Sequence, residues 1–179
     1  MRILLAGFLA AIIAAMPATA QTTRVVAVAD FVDESHGGLF ISASRLNDPL
    51  ATLINNRAGG RLRVASVAEL RNHMRARGFT PRDLVSPTSA SVIAVALGAD
   101  LIVTGRWTHL DADAPEFDPI FSPGSANAVL EIRVLEVATR RVILRESFHG
   151  IASGGGAIGM LWRAAYMALY HAADTISRL

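Results

Sequence analysis

The 179-residue chain has no cysteine and no lysine, and aromatic residues make up only 6% of it. Without cysteine there is no disulfide staple and no thiolate nucleophile, so packing alone must stabilise the fold. The same absence removes the residue that would carry a lipid near a signal-cleavage site, so the mature chain is expected to have no lipid anchor. All seventeen basic residues are therefore arginine, yet the formal net charge is only +2. A nucleic-acid binder concentrates its basic residues on one face, with stacking aromatics if it takes single strands. Here the arginines are scattered and aromatics are few, and no nucleic-acid partner is expected. The sequence also lacks a G-x-S-x-G elbow, an H-E-x-x-H pair and a His-x-His pair, and His36, His73, His109, His149 and His171 are dispersed. Nothing in it assigns a catalytic, cofactor-binding or metal-ligating residue, and the chain is not expected to be an enzyme.

What is present begins with a leader. Met1-Arg2 forms a minimal positive n-region, Leu4 to Met16 is apolar, Pro17 breaks the run, and Ala18-Thr19-Ala20 fits a small-x-small cleavage site. Thirteen apolar residues are short for a bilayer that needs roughly 20. Residues 1–20 therefore read as a cleaved signal peptide and 21–179 as one exported, periplasmic domain that does not span the membrane after cleavage. A chain of that length can bury a single core.

The segment Ser86 to Thr108 organises the rest. Ser86 or Thr88 can cap a helix with Pro87 in its first turn, Val92, Ile93, Ala96 and Leu97 recur at helical spacing, and Gly98 suits the left-handed stop. Leu101-Ile102-Val103-Thr104-Gly105 then reads as a central strand covered on both faces, since a strand wet on one side would alternate. Before it come a strand from Arg24 to Phe31 and a polar loop from Asp33 to Gly38. Leu39 to Ser44 reads either as extended chain or as a helical turn. A helix follows with Asp48 as N-cap and Pro49 at its first position, then a short strand Arg61–Ala65. Ser66 and Glu69 form a capping box for a helix that carries Arg71, Arg75 and Arg77 as a solvated stripe. Phe79 to Val85 reads as a loop.

After Trp107, residues 109–125 hold three prolines and four carboxylates and read as a long loop. Asn127–Val137 and Arg141–His149 alternate about a tight turn at Ala138–Arg140: Ala128, Leu130, Ile132 and Val134 point one way and Glu131 and Arg133 the other, with Val142, Leu144 and Phe148 on the inner side of the second strand. This is an antiparallel hairpin with one wet face. Ala157–Leu179 is an amphipathic helix with Ile158, Leu161, Trp162, Ala165, Leu169, Ala172 and Ile176 in one stripe. The order β-α-β-α-α-β-β-β-α gives the α/β class: one domain, a mixed sheet of about five strands and covering helices.

Three features invite chemistry. Gly154 to Gly159 matches G-x-G-x-x-G, but the helix it opens runs to the last residue, so the second strand of a dinucleotide site is missing and a strand–helix hinge is expected. Asp111, Asp113, Glu116 and Asp118 near His109 could offer oxygens to Ca²⁺, although the spacing is not that of an EF-hand and a solvated loop is the plainer reading. Asp33, Glu34, Ser35 and His36 include triad residue types, but sequence neighbours on one loop rarely converge on one point.

The runs V-A-V-A-D-F around Val25–Phe31, A-L-G-A-D-L-I-V-T-G at Ala96–Gly105 and L-E-I-R-V-L-E-V-A-T-R-R-V-I-L at Leu130–Leu144 resemble a domain shared by several envelope families. These are curli secretion-channel (CsgG-type) proteins and lipoprotein activators of penicillin-binding proteins, and the TolB N-terminal domain is similar. The resemblance implies an α/β module that works by contact with an envelope protein complex, with no functional residues to carry over. Loops 33–47 and 109–125 and the wet hairpin face would then be contact surfaces, with Phe117, Ile120 and Phe121 as interaction anchors. The alternative is a ligand- or ion-binding domain that uses the acidic loop 109–125 or the Gly154–Gly159 turn.

Overall fold

Strand β1 (Arg24–Val28) is the hinge of the architecture, because its β-branched run has buried neighbours on both sides of the sheet. The computed structural model describes residues 22–35, 46–113 and 123–179. The expected leader 1–20, the ambiguous stretch Leu39–Ser44 and the anchors Phe117, Ile120 and Phe121 lie outside the described residues. After β1 come β2 (Val32–Asp33), α1 (Asn47–Arg57), β3 (Leu62–Val64), α2 (Val67–Ala76), a 3-10 turn at Pro81–Val85 and α3 (Pro87–Ala96). Then follow β4 (Leu101–Asp113), β5 (Pro123–Glu136), β6 (Arg141–Gly155) and α4 (Ala157–Ile176).

The strands form one open six-stranded mixed sheet in the order β3-β1-β4-β5-β6, with β2 also on β4. β1 runs parallel to β3 and β4, whereas β4, β5 and β6 are antiparallel. One sheet face packs under α1 and α4, in a core that includes Leu101, Val103, Trp107, Leu130 and Ile132. On the other face α2, α3 and the 3-10 turn cover the parallel end, where Ile102 meets Leu70, Met74, Leu84 and Ile93. Leu101, Ile102 and Val103 are fully buried, as a strand covered on both faces requires.

Several expectations are corrected in detail. The expected loop 109–125 is strand at both ends: β4 continues through Asp113 and β5 begins at Pro123. Leu110, Ala112 and Ala126 keep the inward alternation, and pairing with the neighbouring strand outweighs the poor strand propensity of aspartate and alanine. β6 likewise runs past His149 to Gly155. Helix α1 starts at Asn47 with Leu46 as N-cap, so Asp48 sits in the first turn. In α3 the buried face is Ala90, Ser91, Ile93 and Ala94, which leaves Val92 exposed. The Ser86 side chain makes no cap bond there; Gly98, at φ +60°, does close the helix. A register shift between Val134 and Leu135 sets Val142 opposite Leu135 and outside the inner face, and Val142 is exposed. In α4, Ile158 is exposed and the stripe is centred instead on Ala164, Ala165 and Ala168.

Arg71 is not part of a solvated stripe. Its Nε donates to both Asp30 oxygens at 3.1 and 3.0 Å, and Nη2 donates to Asp30 Oδ1 at 2.8 Å and to Asp48 Oδ1 at 3.2 Å. The side-chain bonds to Asp30 raise the Arg71 guanidinium above its ordinary range. One side chain thus ties the end of β1 to α1 and α2. Arg71→Met, which keeps the aliphatic bulk, is expected to lower stability by about 1–2 kcal/mol, because charged hydrogen bonds at half-buried sites are worth that much. Urea denaturation would measure the loss, and an unchanged midpoint would contradict it.

Candidate functional site

The half-covered sheet face creates the site. Past Ile102 no helix among the described residues lies over this side of β4, β5 and β6, and side chains at every second position form rungs across the strands. Thr104 pairs with Arg133 and Arg133 with Arg145; Arg106 pairs with Glu131 and Glu131 with Ser147. The 3-10 turn adds Arg82 and Val85 as a side wall, and Glu34 closes one end. Together they line an open cleft of about 550 Å³. The turn is held by its own cap: the Thr80 hydroxyl donates to Asp83 Oδ2 at 2.6 Å and the Thr80 N–H donates to the same oxygen at 2.7 Å. Those bonds, the hydroxyl first, hold the Asp83 carboxyl below its usual range. The stability they lend is present above the ordinary aspartate range and is lost as pH falls through the lowered value.

Charge in the cleft is unevenly balanced. Arg106 is neutralised twice, with Nε to Glu131 Oε2 at 2.9 Å and Nη1 to Glu34 Oε2 at 2.9 Å. Bonding to Glu131, with Glu34 behind it, holds the Arg106 guanidinium above its ordinary range. Arg82, Arg133 and Arg145 form no ion pair among the described residues. Glu146 is the remaining carboxylate on the lining.

The residues singled out by sequence are placed as follows. Glu34 is bound into the Arg106 pair, while Asp33 Oδ1 accepts from the Ser35 N–H at 3.0 Å and from its hydroxyl at 2.7 Å; His36 lies outside the described residues. His109, Asp111 and Asp113 project in line from β4, and Glu116 and Asp118 lie outside the described residues. Among the described residues no group of three or more histidines and carboxylates is placed to hold a metal ion. Gly154 and Gly156, at φ +129° and +78°, turn β6 into α4 as the expected hinge. The cleft itself was missed. Arg133 and Arg145 were legible as outward positions, but their being opposite one another depends on the register, and Arg82 belongs to a segment read as loop.

No protein-family model matches the sequence, and no curated protein does. The fold does match solved structures. Lipoprotein GNA1162 from Neisseria meningitidis is similar at a TM-score of 0.56 and 12% identity, over 87% of this chain and 99% of that one. LpoB from E. coli is similar at 0.51 and 22% identity, over 75% of this chain and 56% of LpoB. The hypothetical protein CT253 from Chlamydia trachomatis gives 0.51 at 15% identity, over 88% and 100%. At these identities the likeness establishes the shared fold. Among the described residues no helix is long and apolar enough to cross a membrane.

Proposed function

We propose that this protein is an exported, periplasmic, non-catalytic interaction module that docks onto an envelope protein through the open face of β4, β5 and β6. The observation that carries the reading is the half-covered sheet: two helices cover one face throughout, while among the described residues the other is left open beyond Ile102 and lined largely by charged and polar residues. The motif resemblance to envelope families and the fold shared with a lipoprotein and with LpoB support it. The chemistry of the cleft supports it too. Glu34 and Glu131 are committed to Arg106, which suits recognition better than general acid–base work. In this reading residues 1–20 are removed and 21–179 form the working domain. Phe117, Ile120 and Phe121, in the connection between β4 and β5, are a second contact proposed from the sequence.

The test is a photo-crosslinking side chain installed at Ser147 on the open face and, separately, at Tyr166 on the exposed side of α4. One envelope protein captured from Ser147 and not from Tyr166 is the expected result. Equal capture from both, or none from Ser147, would overturn the reading. Changing Phe117, Ile120 and Phe121 together to Ser should weaken the same crosslink.

A further inference from the structure

Arg133 and Arg145 stand directly opposite each other on the open face, although like charges in that position destabilise a sheet. Neither is neutralised by a described residue, and Arg82 adds a third charge from the cleft wall. The adjoining rung, Arg106–Glu131, shows the neutralised arrangement that the same sheet accommodates one step away. The cleft opens against β6, the last strand in the order, whose outer N–H and C=O groups have no strand partner among the described residues. From Arg145 to Ser153 this edge carries no proline, and Arg145, Ser147 and His149 share its open face at a period of two.

We infer that the β6 edge and the arginine cleft together bind an extended, acidic segment of the partner as an added strand, with a carboxylate on its open face set beside the Arg145–Arg133 rung. Main-chain hydrogen bonds to β6 would hold the segment, and arginine–carboxylate pairs would select it. The free edge argues for a strand over a small anion, because a small anion uses the arginines and leaves the edge idle. Charge argues against a second copy of this chain. A two-fold β6–β6 pairing would set both arginine clefts on the same side of one continuous sheet and add repulsion.

This inference rests on the docking reading, and its test is separate from the crosslink. Anisotropy would be followed with a labelled eight-residue peptide alternating glutamate with threonine and valine, with its glutamine counterpart, and with inorganic phosphate as competitor. Binding of the acidic peptide is expected, weakened about tenfold by Glu-to-Gln replacement in the peptide and by about the same factor in R133Q or R145Q, a typical worth for one such ion pair. The double variant R133E/R145E should reject the acidic peptide and take a lysine version. R145Q should melt at or above the parent temperature, since it relieves a like-charge pair, and this shows that lost binding is not lost folding. Equal affinity for the glutamate and glutamine peptides, phosphate binding as tight as the peptide, or dimers that vanish in R145Q would each overturn the inference. A crosslink from Ser147 without peptide binding would sink this inference and spare the docking reading; peptide binding without a crosslink would do the reverse.

Discussion

Gly150→Ala is expected to destabilise the protein by about 3 kcal/mol or more and to lower Tm by roughly 10 °C. A methyl group built on Gly150 would overlap the Ala164 carbonyl oxygen and lie 2.8 Å from the Ala168 nitrogen, both in the backbone of α4. No side-chain rotation relieves that overlap, so the helix must lift off β6 or the strand must bend. Small residues make the close approach possible: Gly150 pairs with Ala128 on β5, and Ala164, Ala165 and Ala168 face them from α4. Ala164→Gly in the same background should restore nothing, because the obstructing atom is a carbonyl. Gly98→Ala is the control for ordinary glycine strain. Its φ is +60° with nothing within 4 Å of the added carbon, and it should cost only about 1 kcal/mol. Thermal melts of the three variants would check the ranking, and a Gly150→Ala protein as stable as Gly98→Ala would contradict the packing account.

Trp107→Ala should cost about 3–5 kcal/mol. Trp107 is fully buried beneath the helical layer and meets Phe31 edge-on at 6.5 Å between ring centroids. Its removal opens a cavity between β4 and the helices in the region where β2 rejoins the sheet, since Val32 and Asp33 pair with Arg106 and Trp107. The Glu34 N–H also donates to the Trp107 carbonyl at 2.9 Å, so the same segment delivers Glu34 to Arg106 at the cleft. Trp107→Phe should cost clearly less than the alanine change. Phenylalanine keeps much of the volume, and it removes an indole Nε1 that has no protein partner among the described residues. Chemical denaturation of both variants would measure the difference. Equal losses would mean that the ring's bulk is not what that layer depends on.

The sequence was most readable where a single element decides its own surroundings. The run Leu101–Val103 announced a strand covered on both sides, Gly98 its preceding stop, and Leu130, Ile132 and Val134 the inner face of a hairpin. It was least readable where another element decides. Asp111 and Asp113 have side chains that favour turns, yet they lie in a strand because β4 and β5 satisfy each other's backbone there. Arg71 looked like one of three solvated arginines, and only the end of β1 and the first turn of α1 bring Asp30 and Asp48 to it.

The same division runs through the functional reading. Local residues determined the α/β class, the order of the elements apart from the two-residue β2 and the 3-10 turn, and the wet face of the hairpin, because alternation, caps and glycine stops act within a few residues. The tertiary structure alone decided that no described helix would cover this wet face past Ile102, that Arg133 would stand opposite Arg145, and that Arg82 would arrive from a turn some fifty residues earlier in the chain. Register and helix coverage are set by which surfaces must be buried together, and burial is a property of the whole core that no single segment carries.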